Sequence, residues 1–415
     1  MGGLKNKMNE TLKNKFIAAI DIGTEKTCAM IAKVEPDNSF NIVGFGHRKS
    51  KGIKNGIIVN IKETAEIVRT TLSDAEKMCG EIVSGVVVNT PVSELFSSNI
   101  VDGFQINDSI EIQPHHVNKL IDTALSKAMI KGGGIIHSIP FNFFTESTKE
   151  IENPLGMPAS NLGIRMNLIS SHTNSLKAID KVLLESRVLT NKKVACPFAS
   201  GLGCLNNEEN GIVIDIGAGK TSIGVFIDNH LFHAGFLPFG GSHITQRIAN
   251  DLTISFEEAE RIKTLYGCAF VSPIDKETEI TIKPIGEENT LYSINVFDLN
   301  SSISPMIRNF FNEIKEYLEK ERLYNIPSKR VVLTGGGSLL QGIRDIGATI
   351  LEGRQLRLGS PLKIKGNVEG INSATYSNIA GLLEFAMIKK FISPYIKNEK
   401  EKGLIDRFKS FFMKN

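Results

Sequence analysis

The chain has 415 residues, 22% of them charged, and a formal net charge of +3. That length is too great for one small core and calls for two lobes or several subdomains, while the charge is too small to imply a nucleic-acid partner. Five scattered cysteines, odd in number and without a CxxC pair, fit a reducing cytosol better than a disulfide framework.

The opening residues 1–15, "MGGLKNKMNETLKNK", are basic and polar and are expected to be disordered. They lack the apolar core of a secretory signal and the Ser or Thr at position 6 that myristoylation requires. No stretch approaches the roughly 20 apolar residues of a membrane span. Next, "KFIAAIDIG", "KTCAMIAKV" and "FNIVGFGHR" read as three strands, with "EPDNS" as a turn between the second and third. In "NIKETAEIVRTTLSDAEKMCG", Ile61, Ala65, Ile67, Val68, Leu72, Ala75 and Met78 recur at helical spacing, and Gly80 is the expected stop.

Residues 84–166 read as an insertion with strand-like and helix-like runs of its own. Beyond it the opening plan repeats: "GIVIDIG", "KTSIGVFI" and "HLFHAGFLPF", with "DN" as a hairpin turn, then helical "SHITQRIANDL" and "SFEEAERIKTLYG". A second insertion, 241–300, carries those helices and the strand-like "EITIKPI" and "LYSINVF". A charged helix near Asn300 to Arg322, the strand "RVVLTGGG", another helix and "YSNIAGLLEFAMIKKF" follow.

The repeat centres on "DIGTEKT" at Asp21 to Thr27 and "DIGAGKT" at Asp215 to Thr221, 194 residues apart. The second is not a Walker A loop, since Ile214 stands where the first glycine belongs and a strand, not a helix, follows. As hairpin turns, Gly23, Gly217 and Gly219 let backbone N–H groups approach phosphate oxygens, and Thr24 and Thr221 add hydroxyls. Lys26 and Lys220 lie beside them; Lys220 either brings positive charge to the phosphates or points to solvent. Asp21 and Asp215 are expected to hold Mg²⁺, through its retained waters, so that two lobes clamp one polyphosphate tail. Gly335, Gly336 and Gly337, in "VVLTGGGSLLQG", would let a base or ribose lie on the main chain. Glu260 and Lys263 share a helix face and either reach a ribose or purine edge or form a solvated pair. No residue stands out as a catalytic base.

"SPYIKNEKEKG" (393–403) reads as a flexible linker. In "LIDRFKSFFMKN" (404–415), Leu404, Ile405, Phe408, Phe411 and Phe412 fall within an arc of about 120°, with Arg407 and Lys409 as basic residues among them. From Lys397 onward six basic and three acidic side chains suit an anionic leaflet, so an amphipathic membrane-targeting helix is expected. The alternative is a helix docked on its own core.

The two turns and "LTGGGSLLQG", in this order, resemble the actin, Hsp70 and sugar-kinase superfamily. With "GIKNGIIVNIKETAEIV", "KEIENPLGMPASNLGIRMNLISSH" and "GCAFVSP", the chain is similar to the FtsA family of bacterial cell-division proteins over nearly its whole length. The resemblance implies an α/β, actin-like two-lobed ATPase fold of two ribonuclease H-like subdomains with inserted subdomains. It implies subdomain 1A at 16–83 and 167–200, subdomain 1C at 84–166, subdomain 2A at 201–240 and 301–375, subdomain 2B at 241–300, and a return helix at 376–392. It further implies ATP with Mg²⁺ in the cleft, filament or dimer formation, and a peripheral location at the cytoplasmic face of the inner membrane. The implied partners are the C-terminal peptide of the tubulin-like FtsZ, received by subdomain 2B, and later division proteins at subdomain 1C. Departures are Ala218 and Lys220, where many relatives carry Gly and Thr, and Ser222 at a position often acidic. A small-molecule kinase or an actin-like pilus-assembly adaptor would share the loops; a kinase would also need an acceptor-site Asp, which is not visible.

Overall fold

Two hairpins start the two halves of the molecule in the same way. The structure is a computed structural model and describes residues 16–388 apart from 207–209, 287–290 and 327. Strand β1 (Phe16–Ile22) turns into β2 (Lys26–Val34), which pairs with β3 (Phe40–Lys49). A small hairpin, β4 (Ile53–Lys54) with β5 (Ile57–Ile58), leads into helix α1 (Ile61–Cys79). Asn60 caps that helix by accepting from the Glu63 N–H, and Gly80 ends it in the left-handed conformation with its own N–H on the Glu76 carbonyl.

Strand β6 (Val86–Asn89) runs parallel to β1. An inserted domain follows: β7 (Phe96–Glu111), α2 (Pro114–Lys127), β8 (Gly133–Phe144) and β9 (Pro158–His172), the strands forming an antiparallel sheet with β9 in the middle. Helix α3 (Thr173–Ser186) and strand β10 (Thr190–Val194) return to the first sheet, and α4 (Cys196–Cys204) crosses to the second lobe.

There, β11 (Gly211–Ile216), β12 (Thr221–Ile227) and β13 (His230–Leu237) repeat the meander. Asp228 and Asn229, both at positive φ, make the tight turn that matches strand twist. Helices α5 (Gly241–Leu252) and α6 (Phe256–Tyr266), a ribbon of β14 (Glu279–Ile282) and β15 (Tyr292–Asn295), and the long α7 (Val296–Lys320) come next. Strand β16 (Arg330–Thr334), helix α8 (Ile343–Ile350) and strand β17 (Gln355–Leu358) complete the second sheet. The short β18 (Ile364–Lys365) then adds to the edge of the first sheet at β3, and α9 (Ser377–Met387) packs on α4.

The first sheet is ordered β10-β6-β1-β2-β3-β18 and the second β13-β12-β11-β16-β17. In each, a central strand has an antiparallel hairpin partner on one side and a parallel partner on the other, which is the same plan used twice. Alternation along the central strands decides what faces what. Ala18, Ile20 and Ile22 join the core under α1 and α3, while Ala19 joins a separate cluster with Phe198, Ala199, Leu382 and Leu383 of the crossing helices. On β11, Ile212, Ile214 and Ile216 face the core under α5 and α7, and Val213 joins the same shared cluster as Ala19. The odd-numbered face of both strands therefore looks toward the partner lobe.

Some boundaries differ from the sequence reading. Val86–Asn89, expected within the segment 84–166, is a strand of the first sheet, and its buried Val-Val-Val run is what a central parallel strand requires. The inserted sheet starts at Phe96 and continues to His172. Helix α7 begins at Val296, ahead of the expected Asn300, and contains Pro305. The linker 393–403 and the amphipathic segment, with Leu404, Ile405, Arg407, Phe408, Lys409, Phe411 and Phe412, lie outside the described residues, as does 1–15. Among the described residues no helix is long and apolar enough to cross a membrane.

Candidate functional site

The strand alternation that sends Ala19 and Val213 into the shared cluster also turns Asp21 and Asp215 toward each other's lobe, one step further along each strand. Both line one cleft of about 580 Å³, together with Gly23, Thr24, Lys26, Gly217, Gly219, Lys220, Glu260, Lys263 and Gly335–Gly337. Sequence-expected positions from four separate stretches of chain thus meet in one place.

The two acidic turns share a hydrogen-bond frame. Gly23 N–H donates to the Lys26 carbonyl at 3.0 Å, and Gly217 N–H donates to the Lys220 carbonyl at 3.1 Å. Pairing registers match as well, with Asp21 opposite Cys28 and Asp215 opposite Ser222. The second turn is braced further: the N–H groups of Gly241 and Ser242, at the start of α5, donate to the carbonyls of Gly217 and Ala218, each at 2.9 Å. Those bonds tie the second turn to the first turn of α5 and fix its backbone at the cleft.

Each carboxylate has a fixed partner. Asn89 Nδ2 donates to Asp21 Oδ1 at 2.6 Å, and Asn89 Oδ1 accepts from the Ile22 N–H at 2.8 Å. The Ser200 hydroxyl donates to Asp215 Oδ2, and Asn378 Nδ2 in turn donates to the Ser200 oxygen at 2.9 Å. Both groups keep some surface open to the cleft but sit deep beneath the two lobes. Loss of hydration there pushes Asp21 up to about 7; Lys26 pulls it down and the charge on Asp215 pushes it up. The same desolvation raises Asp215, opposed by its bond from Ser200 and by Lys26. Two desolvated carboxylates facing one cleft, one of them raised further by the charge of the other, are a site for positive charge. Oxygen donors and a pair of acids suit a hard cation that keeps most of its own waters, as Mg²⁺ does. No cluster of three metal-binding side chains occurs among the described residues.

The lysines divide the work. Lys26 Nζ donates to the Thr375 carbonyl at 2.9 Å, lies 4.0 Å from the centre of the Tyr376 ring, and is the cation felt by both carboxylates. Lys220 lines the cleft and does not point to solvent, one of the two outcomes open from sequence. Its Nζ donates to the Val92 carbonyl at 2.6 Å and lies 3.8 Å from the centre of the Phe236 ring. Thr221 turns away from the cleft: it is fully buried and its hydroxyl donates to the Phe239 carbonyl at 2.8 Å. As the first residue of β12 it lies between its buried cross-strand partners Ile216 and Leu237, so the hydroxyl expected at a phosphate serves the fold instead.

Beside the start of α5, Lys263 Nζ contacts Glu260 Oε2 at 2.6 Å, donates to Thr245 Oγ1 at 2.7 Å and donates to the Gly241 carbonyl at 3.2 Å. The pair lines the cleft and is not a freely solvated surface pair. Gly335, at φ 82°, passes beside Asp215, and a Cβ there would overlap the Oδ1 atom. Residues that sequence reasoning missed are Asn89, Cys196, Ser200 and Asn378, which floor the cleft or hold its acids. Only contacts between distant segments reveal them; no local motif marks an Asn at the end of β6 or a Ser inside α4.

Comparison with known proteins gives a consistent picture. A family model described as "Cell division protein FtsA" matches residues 212–381, and one described as "SHS2 domain inserted in FTSA" matches 93–170, together more than half of the chain. The cell division protein FtsA of Rhizobium meliloti (strain 1021) is 28% identical over 393 residues, covering 91% of this chain and 88% of the relative. That of Escherichia coli (strain K12) is 25% identical over 388 residues, covering 91% and 92%. Among solved structures, the PilM-PilN type IV pilus biogenesis complex aligns with TM-score 0.64 at 15% identity, covering 90% of this chain and 98% of the other. MreB5 of Spiroplasma citri bound to ADP aligns with TM-score 0.50 at 13% identity, covering 90% and 96%. At those identities the structural matches establish a shared actin-like fold.

Proposed function

The chain belongs to the FtsA family of bacterial cell-division proteins, and from that premise we propose that it is an ATP-binding, actin-like scaffold of the division ring. The observation that carries the nucleotide part is the pair of matching acidic turns facing across one cleft. In this reading the N–H groups of the two turns hold the phosphates, Gly335 and Gly336 receive the adenosine against bare main chain, and Glu260 with Lys263 meets its ribose or base. Asp21 and Asp215 would hold a Mg²⁺ ion, which would offset the phosphate charge when bound. Asn89 and Ser200 orient those carboxylates, and Lys26 balances them until a ligand arrives. Binding closes the lobes and sets the surface offered to a second copy, so the chain self-associates into filaments or dimers.

Residues 241–300 receive the C-terminal peptide of FtsZ, and the inserted domain is the place for later division proteins. The amphipathic segment 404–415 tethers the assembly to the anionic cytoplasmic face of the inner membrane. Half-burying three Phe, a Leu and an Ile, each contributing about 1.5–3 kcal/mol when fully buried, gives reversible attachment for one copy. A filament of copies holds firmly by avidity. A small-molecule kinase has no use for that segment, and the likeness to the pilus-assembly complex extends to fold alone.

Co-sedimentation tests the scaffold reading. Full-length protein, with Mg²⁺ and ATP, should carry FtsZ filaments down with anionic liposomes, and a chain ended at Gly403 should leave both in the supernatant. Equal sedimentation of the two forms would refute the tether.

A further inference from the structure

Lys220 belongs to the second lobe by sequence and to the first by contact. Its ammonium donates to the carbonyl of Val92, a buried residue four positions before β7 begins, so the bond ends on the neck that enters the inserted domain. The methylene stem crosses the β4–β5 turn of the first lobe at Gly56, where a Cβ would stand 2.5 Å from Lys220 Cε. No side chain other than hydrogen fits between them. Phe236, under the ammonium, lies on β13.

The body of the inserted domain reaches the second lobe on that same strand. Asn167 Nδ2 donates to the Phe232 carbonyl at 2.9 Å, and Phe141 stacks on Phe232 with ring centres 5.9 Å apart. It also reaches the floor of the cleft: His137 Nε2 accepts from the Ala195 N–H at 3.0 Å, at the start of the helix whose Ser200 holds Asp215. Neck and body are therefore both tied to parts that must shift when the cleft closes.

We propose that Lys220 is a positioning residue, an interlobe pin that makes the second acidic turn and the neck of the inserted domain move as one, so that ligand binding in the cleft is read out at the inserted domain. This rests on the nucleotide reading of the cleft. Lys26 serves as the cation for the two acids, which leaves Lys220 free for the mechanical task. An apolar side chain of equal length at 220 keeps the stem across Gly56 and removes the bond to Val92 together with the ammonium's contact with Phe236.

Hydrogen exchange of the full-length protein with and without Mg²⁺ and ATP tests this. In the wild type, ligand should slow exchange at both acidic turns and at residues 91–96 by about tenfold or more. In Lys220→Met, the turns should keep that protection, while the response at 91–96 drops below about twofold. Lys220→Arg, with a cation of similar reach, should restore the neck response. An unchanged neck response in Lys220→Met, or loss of the protection at the two turns themselves, would overturn the proposal, the second because it makes Lys220 a ligand contact. Should ATP protect nothing in the wild type, the nucleotide reading falls, and the ligand-free proteins still decide the pin. Faster exchange at 91–96 in Lys220→Met then supports it, and equal exchange ends it.

Discussion

Gly335 and Asp215 pass so close that only a hydrogen fits where a side chain at 335 would stand. Its φ of 82° is costly for any residue with a Cβ, and an added methyl would overlap Asp215 Oδ1. Gly335→Ala should lower stability by about 1–3 kcal/mol and weaken ATP binding by at least about tenfold. Thermal melts and a fluorescent-nucleotide titration of the variant against the wild type check both effects.

Asp21 makes the nucleotide-free protein sensitive to pH. Its carboxyl is pushed up to about 7 by desolvation, so the native state holds a proton that the unfolded chain releases near the ordinary 3.8. The sign follows from linkage: stability contributed by this group is full below the unfolded value and is lost as the pH rises through about 7. Asp21→Asn, which keeps an acceptor for Asn89, should flatten the fall in denaturation midpoint between pH 4 and 7, with Asp215 leaving a residual slope. Mg²⁺ with ATP should stabilise the wild type more at pH 8 than at pH 6, because only the ionised acids attract the cation.

His137 gives the opposite sign. Burial pushes its imidazole down to about 3, so it stays neutral and accepts from the Ala195 N–H. Stability from this group is present above the unfolded value of 6.5 and is lost as the pH falls toward 3. His137→Phe should lose that acid sensitivity but destabilise the protein at pH 7 by about 1–3 kcal/mol, since the Ala195 N–H is left without an acceptor. Urea melts at pH 5 and pH 7 separate the two effects.

Lys263 distinguishes two parts of the proposed ligand. Paired with Glu260 and bonded to Thr245, it is assigned to the ribose or base, and the acidic turns to the phosphates. Lys263→Met should weaken ATP by about tenfold and leave inorganic triphosphate unaffected, whereas Asp215→Asn should weaken both. Competition titrations with the two ligands measure this directly.

The sequence made the repeat legible because a hairpin turn is local: Asp-x-Gly, flanking apolar runs and a following strand all lie within a dozen residues. Gly335–Gly337 and the Glu260–Lys263 spacing were legible for the same reason. What stayed hidden depends on distant chain. Val86–Asn89 reads equally well as the start of an insertion or as a strand of the first sheet, and only its parallel pairing with β1 and β10 decides. Lys220 follows a strand end, where alternation permits either face, and its fate turns on Gly56 and Val92, more than a hundred residues earlier. Thr221 shows the limit of motif logic, since the letter recurs but its hydroxyl is spent on Phe239.

The central claim is that the twin turns hold one nucleotide between them. An equilibrium titration of the full-length protein with ATP, with and without Mg²⁺, in wild type, Asp21→Asn and Asp215→Asn, tests it most directly. The account expects saturable one-to-one binding that needs Mg²⁺ and weakens by at least about tenfold in each variant. Binding that ignores both substitutions, or no saturable binding at all, would contradict it.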